Sequence, residues 1–142
     1  MRDYEYRGLN TKGEWVYGSL VVTTTGLNMP KAKRGQHTKT WIVQSAFGNG
    51  GWFNIMQRQY VRPKTVGEYI GRKDRKGKMI YEGDILVLDN EKPQYYVVQY
   101  EENMFVLRRG SIVLDGIAHF EEREVVGSIH KNPELLTLEE VA

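Results

Sequence analysis

The side chains that could bind a metal or transfer a proton are scattered along this chain. Its three histidines, His37, His119 and His130, lie far apart, and none stands at a short ligand spacing from another. A metal site would need ligands from three separate loops, so the spacing favours surface or strand histidines over ligands. The sequence contains no cysteine, which excludes disulfides, thiolate zinc sites and cysteine nucleophiles.

The neighbouring carboxylates do not form a catalytic pair by themselves. Glu101 and Glu102 are adjacent, as are Glu121 and Glu122. Adjacent side chains on a strand point to opposite faces, although Glu122 and Glu124 would share one face. A charged strand edge that resists aggregation is favoured here over the carboxylate pair of a glycosidase.

Two further segments have a chemical and a structural interpretation. Asp84 follows Gly83, where an aspartate that hydrogen-bonds its own backbone is favoured over a catalytic acid. The segment Gly48–Gly51 is rich in glycine, but neither a Lys-Ser/Thr pair nor an evident helix follows it, as a phosphate loop requires. We therefore predict no catalytic residues, no metal and no cofactor, and we expect that the protein is not an enzyme.

The basic and aromatic residues between positions 31 and 64 are the strongest candidates for a binding function. Basic side chains contact phosphates without sequence preference, and aromatic side chains stack on the bases of single strands. In the alternative interpretation the aromatic side chains belong to the core and the lysines keep a long loop soluble. The predicted nucleic-acid-binding residues are Lys31, Lys33, Arg34, Lys39, Trp41, Arg58, Arg62 and Lys64.

The charge is distributed unevenly between the two parts of the chain. Residues 1–79 hold 15 Lys/Arg and 5 Asp/Glu, whereas residues 80–142 hold 5 Lys/Arg and 13 Asp/Glu. Such asymmetry indicates either a part that binds polyanions or two parts that attract each other, within one chain or between subunits. We favour the second interpretation and expect a homo-oligomer, with nucleic acid as the alternative partner.

The elements that carry these residues are predicted to be strands. The chain of 142 residues is rich in residues that favour strands, including 9 Tyr, and its 15 glycines punctuate short runs of them. At the end of the chain, Asn132 and Pro133 form a helix-start signal, followed by leucines at helical spacing. The predicted strands lie within residues 4–8, 14–22, 41–43, 52–61, 65–71, 78–88, 94–100, 104–108, 111–114, 118–120 and 124–129.

One hairpin pattern occurs twice. The segment from Tyr6 to Val21 and the segment from Tyr69 to Leu86 share an aromatic residue, a glycine, a Lys-Gly turn, an apolar run ending in tyrosine and a later glycine. The second copy has one extra residue, which we assign to the turn, and another, Glu82, before the later glycine. Because the apolar order matches as well as the turn, we favour a duplicated β-unit over chance similarity.

These segments resemble the YopX family, whose members are encoded mainly by bacteriophages and prophages. The resemblance is carried by Tyr6–Gly8 with Gly13–Leu20, by Thr65–Gly71 with Lys76–Leu86, and by Val125–His130 with Asn132–Leu136. It covers nearly the whole chain, and residues 54–64 depart most from the family pattern. The resemblance implies an all-β fold, a phage or mobile-element origin and homo-oligomerisation, but no particular reaction.

These inferences lead to a definite expectation for the whole chain. We predict an all-β protein with a small barrel-like, SH3-like architecture, two related β-units and a short C-terminal helix. Residues 1–64 form an N-terminal β-unit with a long basic loop, and residues 65–142 form a YopX-like β-barrel unit, within one compact whole. The polar N-terminus and the lack of a long apolar run predict a cytoplasmic protein, in the bacterial host cell if the resemblance holds.

Overall fold

A computed structural model describes residues 5–24, 38–47, 54–88 and 93–136. The fold is mostly β, with antiparallel strands throughout the described residues. The chain divides into two compact units, unit 1 (Met1–Glu68) and unit 2 (Tyr69–Ala142). Each unit buries its own apolar cluster, as expected where one face of a sheet is covered.

Unit 1 is built on four antiparallel strands in the order β4-β3-β2-β1. The first residues of β5 pair with the outer side of β1, where Glu68 lies opposite Tyr6. The buried cluster is small and consists of Val16, Ile42 and Val61, with three partly buried neighbours. The strands of this unit are β1 (Tyr6–Leu9), β2 (Trp15–Thr24), β3 (Thr38–Phe47), β4 (Asn54–Tyr60) and the start of β5 (Gly67–Lys73), with a 3-10 turn at Pro63–Thr65.

Unit 2 contains the hairpin of β5 with β6 and a five-stranded antiparallel sheet in the order β10-β9-β8-β7-β11. Its buried cluster is larger and includes Ile80, Leu86, Leu107 and Phe120. The remaining elements are β6 (Met79–Tyr81), β7 (Asp84–Val87), β8 (Tyr95–Glu101), β9 (Met104–Arg109), β10 (Ile112–Leu114), α1 (Ile117–Glu121) and β11 (Glu124–Ser128).

The two copies of the hairpin pattern have the same turn. In the first, the Asn10 side-chain oxygen accepts hydrogen bonds from the backbone N–H groups of Lys12 (2.9 Å) and Glu14 (3.0 Å). In the second, Oδ1 of Asp74 accepts the equivalent bonds from Lys76 (2.9 Å) and Lys78 (2.8 Å). A glycine at positive φ ends both loops, Gly13 at 78° and Gly77 at 84°. The turns are therefore equal in length, and the side chain two residues before Lys-Gly organises each.

The extra residue of the second copy lies in its first strand and not in its turn, which corrects the sequence interpretation. The β5–β6 register runs from Tyr69 opposite Tyr81 to Lys73 opposite Met79, so four steps on β5 match two on β6. Gly71 lies inside this irregular stretch at φ 84°. A bulge absorbs the additional length here because glycine adopts positive φ without steric cost.

The structure corrects two other expectations. Residues 118–120, predicted as a strand, belong to helix α1, which buries Phe120. Nη1 of Arg123 donates to the carbonyl of His119 (2.9 Å) and so satisfies a group at the end of that helix. The predicted barrel is not closed, since β10 and β11 form the two edges of the unit 2 sheet among the described residues.

The C-terminal helix starts where the sequence predicts it. Residues 134–136 are helical, and the backbone N–H of Leu135 donates to the carbonyl of Asn132 (3.1 Å). The Asn132 side-chain oxygen also accepts a hydrogen bond from the backbone N–H of Ser128 (3.2 Å). The rest of the predicted helix lies outside the described residues. None of the helices in the described ranges has the length and apolar character needed to cross a membrane.

Candidate nucleic-acid interface

Trp41 lies at the centre of an exposed face in unit 1. It stands on β3, opposite Val21 of β2 and Tyr60 of β4. Its indole Nε1 donates a hydrogen bond to Oγ1 of Thr23 (2.9 Å), on the neighbouring strand β2. Ile42, the next residue along β3, points to the opposite face and is fully buried in the core. The alternation along β3 therefore places Trp41 on the face away from the core.

Two side chains of β4 pack against this indole. The guanidinium carbon of Arg58 lies 4.8 Å from the centroid of the Trp41 ring, within the range of a cation–π contact. The ring of Tyr60 meets Trp41 edge-on, with centroids 6.0 Å apart and an interplanar angle of 83°. Arg58 and Tyr60 share this face because they are two residues apart on one strand.

We call Lys39, Trp41, Arg58 and Tyr60 together the Trp41 face. Lys39 and Arg58 are exposed, Trp41 is half-buried, and Tyr60 is 39% exposed. The face therefore offers two positive charges beside two aromatic rings to solvent. Phosphates and unpaired bases are ligands that fit this combination.

Arg62 and Lys64 lie beside the first hairpin. Nη2 of Arg62 donates to the backbone carbonyl of Thr11 (3.3 Å), and its backbone N–H donates to the carbonyl of Leu9 (2.8 Å). Lys64 is exposed on the 3-10 turn that follows β4.

The structure thus brings together three members of the predicted set, namely Lys39, Trp41 and Arg58. Three others, Lys31, Lys33 and Arg34, lie outside the described residues. Tyr60 is a member of the face that the sequence analysis missed. Its position two residues after Arg58 was the available signal, but residues 52–61 have no clean alternation, and the face of each side chain was ambiguous.

A cavity of about 510 Å³ lies next to the Trp41 face, inside unit 1. Tyr60 lines it, together with side chains that point away from the Trp41 face on β3 and β4, Gln44 and Gln59. The first hairpin supplies another wall, because Nδ2 of Asn10 donates to Oε1 of Gln59 (3.3 Å). Trp15 is another lining residue, and the guanidinium carbon of Arg7 lies 4.0 Å from its ring centroid.

The carboxylates considered in the sequence analysis have structural partners in unit 2. Asp84 is 1% exposed, and its Oδ2 accepts a hydrogen bond from the backbone N–H of Tyr81 (2.8 Å), which confirms its predicted role in a turn. The hydrogen bond from Arg108 lowers the pKa of Glu101. Lys76 and, to a smaller extent, Arg75 lower the pKa of Glu124.

No group of three or more metal-ligating side chains comes together within the described ranges. This finding covers His119 and His130 but not His37, which lies outside those ranges. Asp84 takes part in a turn, and Glu101 and Glu124 take part in ion pairs.

Comparison with known proteins identifies relatives over nearly the whole chain. A family model described as YopX protein matches residues 5–137. The fold is similar to that in the crystal structure of protein EF1440 from Enterococcus faecalis, with a TM-score of 0.57 and 20% sequence identity. That similarity covers 96% of this chain and 99% of the other. No curated protein matches the sequence.

Proposed function

The chain belongs to the YopX family, and from that premise and the geometry of unit 1 we propose that it is a non-enzymatic nucleic-acid-binding protein. The observation that carries the proposal is the Trp41 face, where Arg58 packs on Trp41 beside Lys39 and Tyr60. We further propose that the protein is encoded by a phage or prophage and acts in the cytoplasm of the bacterial host, as the sequence resemblance implies.

Two kinds of contact would supply the free energy of binding. Each lysine or arginine that neutralises a phosphate releases counterions, which makes binding depend strongly on salt. Aromatic rings add a stacking surface for bases, worth about 1–3 kcal/mol per base. Nothing about this chemistry needs a catalytic group, and Asp74 and Asp84, the two buried acids in the described part of unit 2, are both bound to backbone N–H groups.

We expect a Lys39→Glu/Arg58→Glu double variant to bind nucleic acid at least about tenfold more weakly than the unmodified protein, because two phosphate contacts become repulsive. The measurement is fluorescence anisotropy with labelled single- and double-stranded DNA and RNA, between about 50 and 200 mM salt. The slope of log affinity against log salt should fall by about 2 in the variant.

The matched control is Lys78→Glu/Lys131→Glu, which changes the net charge equally through two exposed lysines of unit 2. It should bind within about threefold of the unmodified protein, since only long-range attraction changes. Absence of binding by the unmodified protein at low salt would refute the proposal. An equal loss in both double variants would show that the Trp41 face is not the site.

A second candidate function is self-association, favoured by an apolar edge on unit 2. Ile112 and Val113 of the edge strand β10 are 45% and 44% exposed, and Ile117 nearby in sequence is 49% exposed. An exposed apolar edge strand is a template for pairing with another chain. Part of the charge complementarity that predicted an oligomer is used inside unit 2, where Arg75 and Lys76 each bind Glu124 at 3.0 Å. We therefore place the contact between copies at β10.

Light scattering at high protein concentration tests this candidate. We expect a mass above that of one chain, and we expect Val113→Lys to restore the monomer, because a charge at the edge opposes strand pairing. Val22→Lys is the matched control, since Val22 is an exposed strand valine of unit 1, at 55%, and it should leave the mass unchanged. A monomer at every concentration would exclude this function.

A further inference from the structure

We propose that the ligand of the Trp41 face is a single strand, and that the cavity beside this face holds one of its unpaired bases. This inference rests on the proposed nucleic-acid function and specifies its substrate class. The inference depends on a cavity lined by amide side chains that lies next to an exposed aromatic and basic face. Binding of phosphates by the basic residues alone would not require such a cavity.

Position is the first argument. Tyr60 belongs to the Trp41 face and also lines the cavity. Strand β4, which carries Tyr60, forms the edge of the sheet among the described residues. A single strand that contacts Lys39 and Arg58 and passes over this edge reaches the cavity within unit 1. A duplex keeps its bases stacked inside and offers none to the cavity.

The lining is the second argument. Gln44 and Gln59 each present an amide, which has both donors and an acceptor and therefore matches the mixed pattern on the edge of a base. Gln44 is half-buried, whereas Gln59 is exposed. Among the described residues, the one hydrogen bond of the Gln59 side chain is the long bond from Asn10, at 3.3 Å. Two glutamines thus stand together in the lining of the cavity.

The aromatic residues in the lining are the third argument. Trp15 and Tyr60 both belong to the residues that line the cavity, so a strand that enters it passes two aromatic residues. The guanidinium carbon of Arg7 lies 4.0 Å from the ring centroid of Trp15, within the range of a cation–π contact. Unstacked bases of single strands are bound in this way by aromatic stacking together with hydrogen bonds to their edges. A free phosphate or an acidic peptide would need neither aromatic residues nor two neighbouring glutamine amides.

The test compares single strands that have the same number of phosphates and different bases, together with a duplex. Fluorescence anisotropy measures binding of single-stranded oligo(dA), oligo(dC) and oligo(dT), of an abasic strand of equal length, and of a duplex. We expect at least one of the homopolymers to bind about tenfold more tightly than the abasic strand and the duplex, which is the effect of one or two base contacts. In the Gln44→Met/Gln59→Met double variant, the preference for the homopolymer over the abasic strand and the duplex should fall to about threefold or less. The slope of log affinity against log salt should not change.

Gln94→Met, at an exposed glutamine of unit 2, is the matched control and should keep the full advantage. Nuclear magnetic resonance of the unmodified protein gives an independent measurement, because the side-chain NH2 signals of Gln44 and Gln59 should shift when the preferred oligonucleotide is added. Equal binding of homopolymers and the abasic strand, or unshifted amide signals, would overturn this inference and leave phosphate binding intact. Absence of binding to every strand would overturn the proposed function as well.

Discussion

Asp74→Asn is expected to lower the free energy of unfolding of unit 2 by about 3 kcal/mol, because it takes an acceptor from buried backbone donors. Asp74 is 7% exposed, and its two carboxylate oxygens serve different elements. Oδ1 accepts from Lys76 and Lys78 in the hairpin turn, and Oδ2 accepts from the backbone N–H of Val125 on β11 (2.9 Å). An asparagine has only one acceptor oxygen, so one of these two sets must lose its partner.

The first hairpin provides the matched control, Asn10→Asp. Among the residues that the structure describes, the side-chain oxygen of Asn10 accepts only the two turn bonds, while Nδ2 donates a long, exposed bond to Gln59. Aspartate keeps the turn bonds and loses that one contact, so we expect a change within about 0.5 kcal/mol. We therefore expect the first hairpin to tolerate aspartate in place of Asn10, whereas the second should not tolerate asparagine in place of Asp74.

Urea titration followed by circular dichroism measures the loss in the Asp74→Asn variant. Amide hydrogen exchange locates it, and Lys76, Lys78 and Val125 should exchange faster than in the unmodified protein. An Asp74→Asn variant as stable as the unmodified protein, or one matched in its loss by Asn10→Asp, would contradict this account of the two turns.

Gly18→Ala is expected to destabilise unit 1 by a similar amount, about 3 kcal/mol, through a steric clash between strands. A Cβ atom added at Gly18 would clash with the carbonyl oxygen of Val43 and lie 3.1 Å from Cγ2 of Ile42. The nearer contact is with backbone, which has no rotamer to change. Strands β2 and β3 would have to separate where Ser19 pairs with Val43, at the start of their shared ladder.

Fluorescence of the unit 1 tryptophans during urea unfolding measures this effect. Ser19→Ala is the control, because Ser19 is the exposed neighbour of Gly18 on β2, and it should change the unfolding free energy by less than about 0.5 kcal/mol. Gly83, the later glycine of the second copy, has φ 92° and would place a Cβ 3.4 Å from Nε2 of His130. Retained stability in the Gly18→Ala variant would mean that the two strands have more freedom than their contacts imply.

These two glycines show how far the repeat could be interpreted from sequence. Both hairpins have a glycine at the same step, but one is required by close approach of β3 and the other adopts positive φ in a turn. Both are glycines for reasons that a linear pattern does not distinguish. The sequence also did not show that the two turns are equal in length. A bulge in β5 lengthens the segment between the first tyrosine and the turn in the second copy.

The strands and their order along the chain were largely predictable, since alternation and turn residues are local signals. Helix α1 was missed because its five residues, Ile117–Glu121, are too few to show a helical period. Its helical form depends on tertiary contacts, with Phe120 buried in the core and Arg123 bound to the carbonyl of His119.

By itself the sequence determined the family, the all-β character, the two related hairpins and the role of Asp84 in a turn. These follow from residue types at short spacing, where local backbone chemistry decides the outcome. Only the tertiary structure placed Arg58 and Tyr60 on the indole of Trp41 and put Gln44 and Gln59 in one cavity. The register between β3 and β4 sets that arrangement, and a slip of one residue would turn every side chain to the other face.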